Sequence, residues 1–238
     1  MRVKICGITS RRDAELAVTL GADALGFLVG LDYRADDEIA PSDARAIIER
    51  LPPLLSSVLV THKTEVSWIV EACKAIRCDT VQLHGPFPLQ KIASLKVCLP
   101  HVKIVKTVHV QDERALGLAH EAGKFADAIL LDTMTESRIG GTGRVHDWSI
   151  SQEIVKSASV PVILAGGLSP ENIQDAIFRV RPFAVDVNSG VEEPDGTKSA
   201  ERIRVLIAKA REAFRRLKCR EASSNAHQQV DIGGQDRL

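Results

Sequence analysis

Residues 162–173 read Val-Ile-Leu-Ala-Gly-Gly-Leu-Ser-Pro-Glu-Asn-Ile. A short apolar run is cut by two glycines, and an amphipathic stretch follows. The run has no polar alternation, which is how a strand buried on both faces reads. Strand, glycine turn, helix is one unit of a parallel α/β fold, and the same unit recurs along the chain. Apolar runs stand at residues 2–6, 24–29, 57–61, 80–84, 103–108, 128–132, 162–165 and 184–186. Helix-like stretches stand at 10–20, 41–51, 65–76, 89–95, 112–122, 149–157, 169–179 and 199–217. In the first of these Ala14, Ala17, Val18 and Leu20 fall on one side, Arg11, Arg12 and Glu15 on another, and Gly21 ends it. Pro41 suits the first turn of the second. Strand then helix, eight times, predicts a single-domain (β/α)8 TIM barrel. The chain length of 238 residues suits that fold. A doubly wound open sheet is the other reading; it has fewer strands and places its phosphate-binding glycines after the first.

Composition bounds the function. Hydrophobic residues are 45% and charged residues 26%, with 31 Lys plus Arg against 31 Asp plus Glu. That excludes a disordered chain. It argues against a nucleic-acid binder, because phosphate neutralisation needs an excess of Lys and Arg. The five cysteines, Cys6, Cys73, Cys78, Cys98 and Cys219, contain no CxxC pair. They predict neither a disulfide framework nor a zinc site. Cys73, Cys78 and Cys98 read as small apolar fillers. Lys4 and Gly7 break the first apolar run, so it is no signal peptide, and nothing approaches a membrane span. A cytoplasmic protein is expected, with no membrane partner. Residues 221–238 are rich in Ser, Gln, Asn and Gly, so the barrel is expected over 1–220 with a frayed tail beyond it.

In such a barrel the active site lies at the C-terminal ends of the strands. The polar residues there are Cys6, Thr61 and His62, Gln82 and His84, Asp132 and Thr133, and Asn188 and Ser189. Gly166 and Gly167 close the seventh run, and Ser189 and Gly190 follow the eighth. Glycine backbone approaches an anion closely, and these two loops frequently bind phosphate in barrels. Together they point to a phosphate site. The segment 140–143, Gly-Gly-Thr-Gly, reads as a flexible loop or as a lid with an added phosphate contact. Cys6 reads either as packing or as a base, and Asp132 as a candidate acid across the pocket. An acid and a base in one pocket suit proton transfer on a phosphorylated sugar.

These motifs resemble the phosphoribosylanthranilate isomerase family. The opening Lys4-Ile5-Cys6-Gly7-Ile8-Thr9, then Gly21-Ala22-Asp23-Ala24-Leu25-Gly26-Phe27, carry the likeness. So do Val81-Gln82-Leu83-His84-Gly85, Leu130-Leu131-Asp132-Thr133, Gly140-Gly141-Thr142-Gly143, Leu164-Ala165-Gly166-Gly167-Leu168 and Asp186-Val187-Asn188-Ser189-Gly190-Val191-Glu192. The resemblance covers roughly 2–217, and the ordered set is specific where no single motif is. It implies an Amadori rearrangement of N-(5-phosphoribosyl)anthranilate in tryptophan biosynthesis, with no metal and no cofactor. Asp132 would protonate the ring oxygen and Cys6 would remove the C2 proton. Gly166, Gly167, Ser189 and Gly190 would hold phosphate, and Arg34, His84 and Gly141 would be further substrate contacts. The partner is a small phosphosugar, and the unit a monomer or homodimer.

The sequence departs from the family in two places. The segment after the second run, residues 30–38, is longer and more acidic, with Arg34 placed to hold the anthranilate carboxylate and Asp36, Asp37 and Glu38 beside it. The third run ends Thr61-His62-Lys63-Thr64, where His62 and Lys63 read as anion holders, an added acid–base group or solvated loop residues. The competing functions are an isomerase of another phosphorylated aminosugar or ketose, and a barrel that binds phosphate without catalysis. Cys6 and Asp132 together argue against the last, since a pure binder needs neither.

Overall fold

Eight parallel strands close on themselves in the computed structural model, which describes residues 2–135, 138–139 and 146–232. The strands are β1 (Arg2–Ile5), β2 (Ala24–Leu28), β3 (Ser56–Thr61), β4 (Thr80–Leu83), β5 (Lys103–Val110), β6 (Ala128–Thr135), β8 (Val162–Leu164) and β9 (Ala184–Val187). A two-residue strand, β7 (Arg138–Ile139), pairs antiparallel with the end of β6. Neighbours run β5-β4-β3-β2-β1-β9-β8-β6, and a β5–β6 pairing closes the ring. Helices α1 (Arg11–Thr19), α2 (Pro41–Ile48), α3 (Val66–Ile76), α4 (Lys91–Cys98), α5 (Arg114–Gly123), α6 (Trp148–Ser157), α7 (Ile173–Val180) and α8 (Ala200–Ile232) follow the barrel strands in turn. This is the (β/α)8 barrel that the repeated unit predicts.

Local chemistry sets the elements. Ser10 caps α1 by accepting from the Asp13 N–H, Pro41 opens α2, and Asp147 caps α6 through the Ser149 N–H. Arg77 and Arg181 adopt left-handed backbone and end α3 and α7. At the entry of the barrel one device repeats. Asp23, Asp79 and Asp127, just ahead of β2, β4 and β6, accept the backbone N–H of Val3, Ser57 and Ile104 at 2.8–2.9 Å. Strands β2, β4 and β6 are thereby each pinned to the strand before them.

Successive side chains alternate between the helix side and the barrel interior. Val3, Ile5, Leu25, Phe27, Leu59, Val81, Leu83, Ile129, Leu131 and Val185 join the helices in one large core. The opposite faces form small apolar layers inside the barrel: Cys6, Leu28, Val58 and Val60 on one side, Val105, Leu130 and Ala165 on the other. Lys4, Gln82, Asp132 and Asp186 are also buried.

Two expectations are modified. Cys98 is exposed at the end of α4 rather than filling the core, while Cys73 and Cys78 are buried as expected. Cys98 has a buried neighbour on the chain, Leu99, which takes the inward place. The last helix also runs on to Ile232, past the boundary drawn from composition. A helix already nucleated by packing adds one hydrogen bond per residue, so low hydrophobicity alone does not stop it. The loop 140–143 lies outside the described residues. No helix among the described residues is long and apolar enough to cross a membrane.

Phe27 is fully buried between barrel and helices. Phe27→Ala should cost about 3–5 kcal/mol. The check is chemical denaturation, in which the midpoint should fall while the transition stays single.

Candidate active site

A cavity of about 1090 Å³ opens at the C-terminal ends of the strands. It is lined by Cys6, Arg34, His62, Gln82, His84, Asp132, Asp186 and the two glycine loops at Gly166, Gly167, Ser189 and Gly190. The structure therefore brings together every site residue expected from sequence except Gly141, which lies outside the described residues.

Lys4 organises one side. Its position two residues before Cys6 places both side chains on the interior face of the chain. Lys4 Nζ donates to Asp186 Oδ2 at 2.8 Å, to Gln82 Oε1 at 2.7 Å and to Cys6 Sγ at 3.5 Å. Burial works most strongly against its charge, but Asp186 and Cys6 together more than offset it and the Lys4 pKa is raised. Burial pushes the Cys6 thiol up to about 11, and the Lys4 ammonium pulls it back. Gly26 leaves the room: a Cβ there would stand 2.6 Å from Cys6 Sγ and 2.9 Å from Lys4 Cε.

Asp132 organises the other side. Burial raises its carboxyl to about 7, against the pull of the Thr133 N–H, which donates to Oδ1 at 2.8 Å. Its Oδ2 stands 3.5 Å from His84 Nε2. The His84 ring stacks on His62 at 5.3 Å and meets the edge of His109 at 5.0 Å. Burial keeps His84 neutral by driving its pKa well down, helped by the nearby His109, His62, Lys4 and Lys106. His84, His109 and Asp132 bring donor atoms within 4.8 Å of one another, the one grouping among the described residues with such spacing.

The end of the cavity at the two glycine loops is shaped by backbone. Gly166 and Gly167 have φ of +83° and +65°. A Cβ on Gly166 would reach 2.3 Å from Thr133 Oγ1. Asn172 holds the turn by donating to the Gly167 carbonyl at 2.8 Å and accepting from the Ser169 N–H at 2.9 Å. Ser189 and Gly190 sit in a short 3-10 turn, Ser189–Val191, packed so closely that a Cβ on Gly190 would meet the Leu168 carbonyl oxygen.

The acidic loop 30–38 is held by its own carboxylates. Glu38 Oε1 accepts the N–H of Gly30 and Leu31 at 2.9 and 3.0 Å. Asp37 accepts from Asn188 Nδ2 at 2.7 Å, and Asn188 Oδ1 accepts from Lys198 Nζ at 2.7 Å. The carboxylates of Asp37 and Glu38 are thus engaged in holding the loop, and Arg34 is exposed on the cavity wall. His62 is buried with only 3% of its surface accessible, and its ring meets Tyr33 at 5.4 Å. Lys63 faces Asp32 at 3.9 Å.

Sequence reading gave no role to Lys4, Gln82, His109 or Asp186. The period of two was the available signal for Lys4 and Gln82, which precede Cys6 and His84 by two, whereas His109 and Asp186 lie in register with Asp132 and Lys4 on neighbouring strands. Their pairing was not legible, because it joins strands far apart in sequence.

Residues 3–209 match the family model for N-(5'-phosphoribosyl)anthranilate isomerase. The isomerase of Methanocella arvoryzae is 44% identical over 88% of this chain and 98% of its own length. That of Natronomonas pharaonis is 41% identical over 87% of this chain and 96% of its own. The crystal structure of the phosphoribosylanthranilate isomerase from Thermotoga maritima superposes with a TM-score of 0.80 at 38% identity, covering 89% of this chain and 99% of that one. A phosphoribosylanthranilate isomerase solved with reduced 1-(o-carboxyphenylamino)-1-deoxyribulose 5-phosphate superposes at 0.77 with 37% identity, over the same shares. The chain belongs to the N-(5'-phosphoribosyl)anthranilate isomerase family.

Gly190→Ala should displace the Ser189–Val191 turn and weaken anion binding about tenfold or more, since each ~1.4 kcal/mol is a factor of ten. Protection against thermal unfolding by inorganic phosphate measures this, and equal protection in wild type and variant would contradict it.

Proposed function

We propose that the chain performs the reaction of its family with Asp132 as acid and Cys6 as base. The reaction is the Amadori rearrangement of N-(5'-phosphoribosyl)anthranilate in tryptophan biosynthesis. The observation that carries the residue roles is the shared cavity: Cys6, Asp132 and both glycine loops line one space. Gly166, Gly167, Ser189 and Gly190 hold the phosphate with backbone N–H groups. Arg34, lining the same cavity, pairs with the anthranilate carboxylate, and His84 contacts the sugar. The enzyme works in the cytoplasm, as a monomer or homodimer.

The chemistry follows from the two environments. Asp132 gives its proton to the furanose oxygen as the C1–O bond breaks, and the nitrogen lone pair closes a protonated Schiff base. The Cys6 thiolate then takes the C2 proton, and that bonding pair forms the C1–C2 double bond as nitrogen recovers its lone pair. The enolamine tautomerises to the ketone. The reaction needs an acid and a base with opposite charge states, and the barrel supplies dissimilar surroundings for each.

The magnitudes constrain the working form. With Asp132 near 7 and Cys6 near 11 in the free protein, the form with a protonated acid and a thiolate is on the order of one molecule in 10⁴. Lys4 beside the thiol keeps that population from falling further. Below about 7 the thiolate is lost with no compensating gain of acid; above about 11 the acid is lost with no further gain of thiolate. Between them the two changes cancel.

The expected kcat/KM profile is therefore flat from about pH 7 to about 11 and falls on both sides. The assay is the loss of phosphoribosylanthranilate fluorescence. Cys6→Ala should lose about 10²–10⁴-fold in kcat, the usual contribution of a general base, while keeping the fold. Asp132→Asn should lose activity comparably and still bind inorganic phosphate. Normal turnover in Cys6→Ala would remove the base role.

A further inference from the structure

We infer that Gln82 is a positioning residue: oriented by Lys4, it fixes His84 as the tautomer whose Nε2 proton faces Asp132. The inference deepens the reading above, since it rests on the acid role of Asp132.

A lysine ammonium only donates. Lys4 Nζ lies 2.7 Å from Gln82, so the atom facing it is the amide oxygen. The Gln82 NH₂ group then points the other way, 3.1 Å from His84 Nδ1 and 3.4 Å from Thr107 Oγ1. Because that nitrogen donates, His84 Nδ1 presents a lone pair. The Thr107 hydroxyl at 3.3 Å can donate to the same atom. In neutral His84 the ring proton is therefore on Nε2, the atom 3.5 Å from Asp132 Oδ2. The ring has little freedom to turn. His62 stacks on it, interplanar angle 6°, and His109 packs against its edge while donating through Nε2 to the His84 carbonyl at 3.1 Å.

The consequence concerns where the acid's proton goes. With hydrogen on Nε2, His84 can donate to the Asp132 carboxylate but cannot take its proton. The proton stays available for the substrate oxygen, and the carboxylate left behind is stabilised by the same N–H. The other tautomer would put a bare basic nitrogen beside the acid. The chain Cys6–Lys4–Gln82–His84–Asp132 thus links the base side to the acid side through side chains of β1 and β4 and the loops that follow them. It also opposes metal binding at His84, His109 and Asp132, because Nε2 of His84 carries hydrogen.

Gln82→Glu replaces a donor by an acceptor and moves the proton to Nδ1. The groups facing His84 are His62 from the end of β3, Lys4 from β1, His109 and Lys106 from β5, and Asp132 from β6. None of these changes in the variant. Imidazole nitrogen NMR on the full chain reads the tautomer without substrate. We expect hydrogen on Nε2 of His84 in the wild type and on Nδ1 in Gln82→Glu, with kcat down about tenfold or more and KM within about twofold. If Gln82→Glu does not fold, Gln82→Met removes the donor and should leave a mixture of tautomers. Hydrogen on Nδ1 in the wild type, an unchanged tautomer in the variants, or a switch without loss of kcat would overturn the inference. Wild-type protein without turnover would sink the proposed function, and the NMR result would still decide the tautomer.

Discussion

Lys4 and Asp186 form an ion pair of 2.8 Å inside the barrel, with both side chains almost wholly buried. The two residues lie on adjacent strands in register, Lys4 opposite Asp186. Such a pair need not add stability over an apolar interior, but removing one partner leaves a buried charge and costs about 3–5 kcal/mol. Its value here is positional. The ammonium has more donors than one carboxylate can use, and the remainder reach Gln82 and Cys6. One cation therefore restrains the Cys6 thiol, orients the Gln82 amide and, through that amide, reaches the His84 ring beside Asp132.

The same logic explains the acidic loop 30–38. Three of its carboxylates serve the loop rather than the cavity. Glu38 closes the loop on its own backbone, Asp37 ties it to Asn188, and Asp32 stands 3.9 Å from Lys63. Asn188 is in turn held by Lys198, which also reaches Glu192. The loop after β2 and the loop after β9 are one connected structure. Gly7 sits beneath the junction with φ +69°, where a Cβ would strike Asn188 and crowd Asp37. Of the acids that looked unfavourable for binding a carboxylate, Glu38 and Asp37 are engaged in holding the loop, while Asp36 lines the cavity with Arg34.

Much of this was legible in the sequence for a definite reason. Strands buried on both faces are continuous apolar runs, so all eight barrel strands could be placed within three residues at either end. The glycines of 166–167 and 190 are visible because a positive φ disfavours most side chains and so close a backbone approach leaves no room for a Cβ. Cys6 and Asp132 stand out because polar residues end apolar runs. The Lys4–Asp186 pair, the orientation of Gln82 and the stacking of His62 on His84 were not legible, since each depends on which strands become neighbours. The burial of His62 was equally hidden, because a His-Lys-Thr stretch reads as a solvated turn until Gly85 lets its backbone pack against it; a Cβ on Gly85 would stand 2.8 Å from the His62 carbonyl.

The central claim is that the barrel interior keeps a carboxylic acid protonated near neutral pH beside a neutral, oriented histidine. Carbon NMR of the Asp132 carboxyl across pH, in the full chain without ligand, tests it most directly. The account requires a midpoint near 7, because burial outweighs the single backbone N–H that favours the anion. A midpoint in the ordinary range for an aspartate, about 3.9, would contradict it and leave the site without its acid.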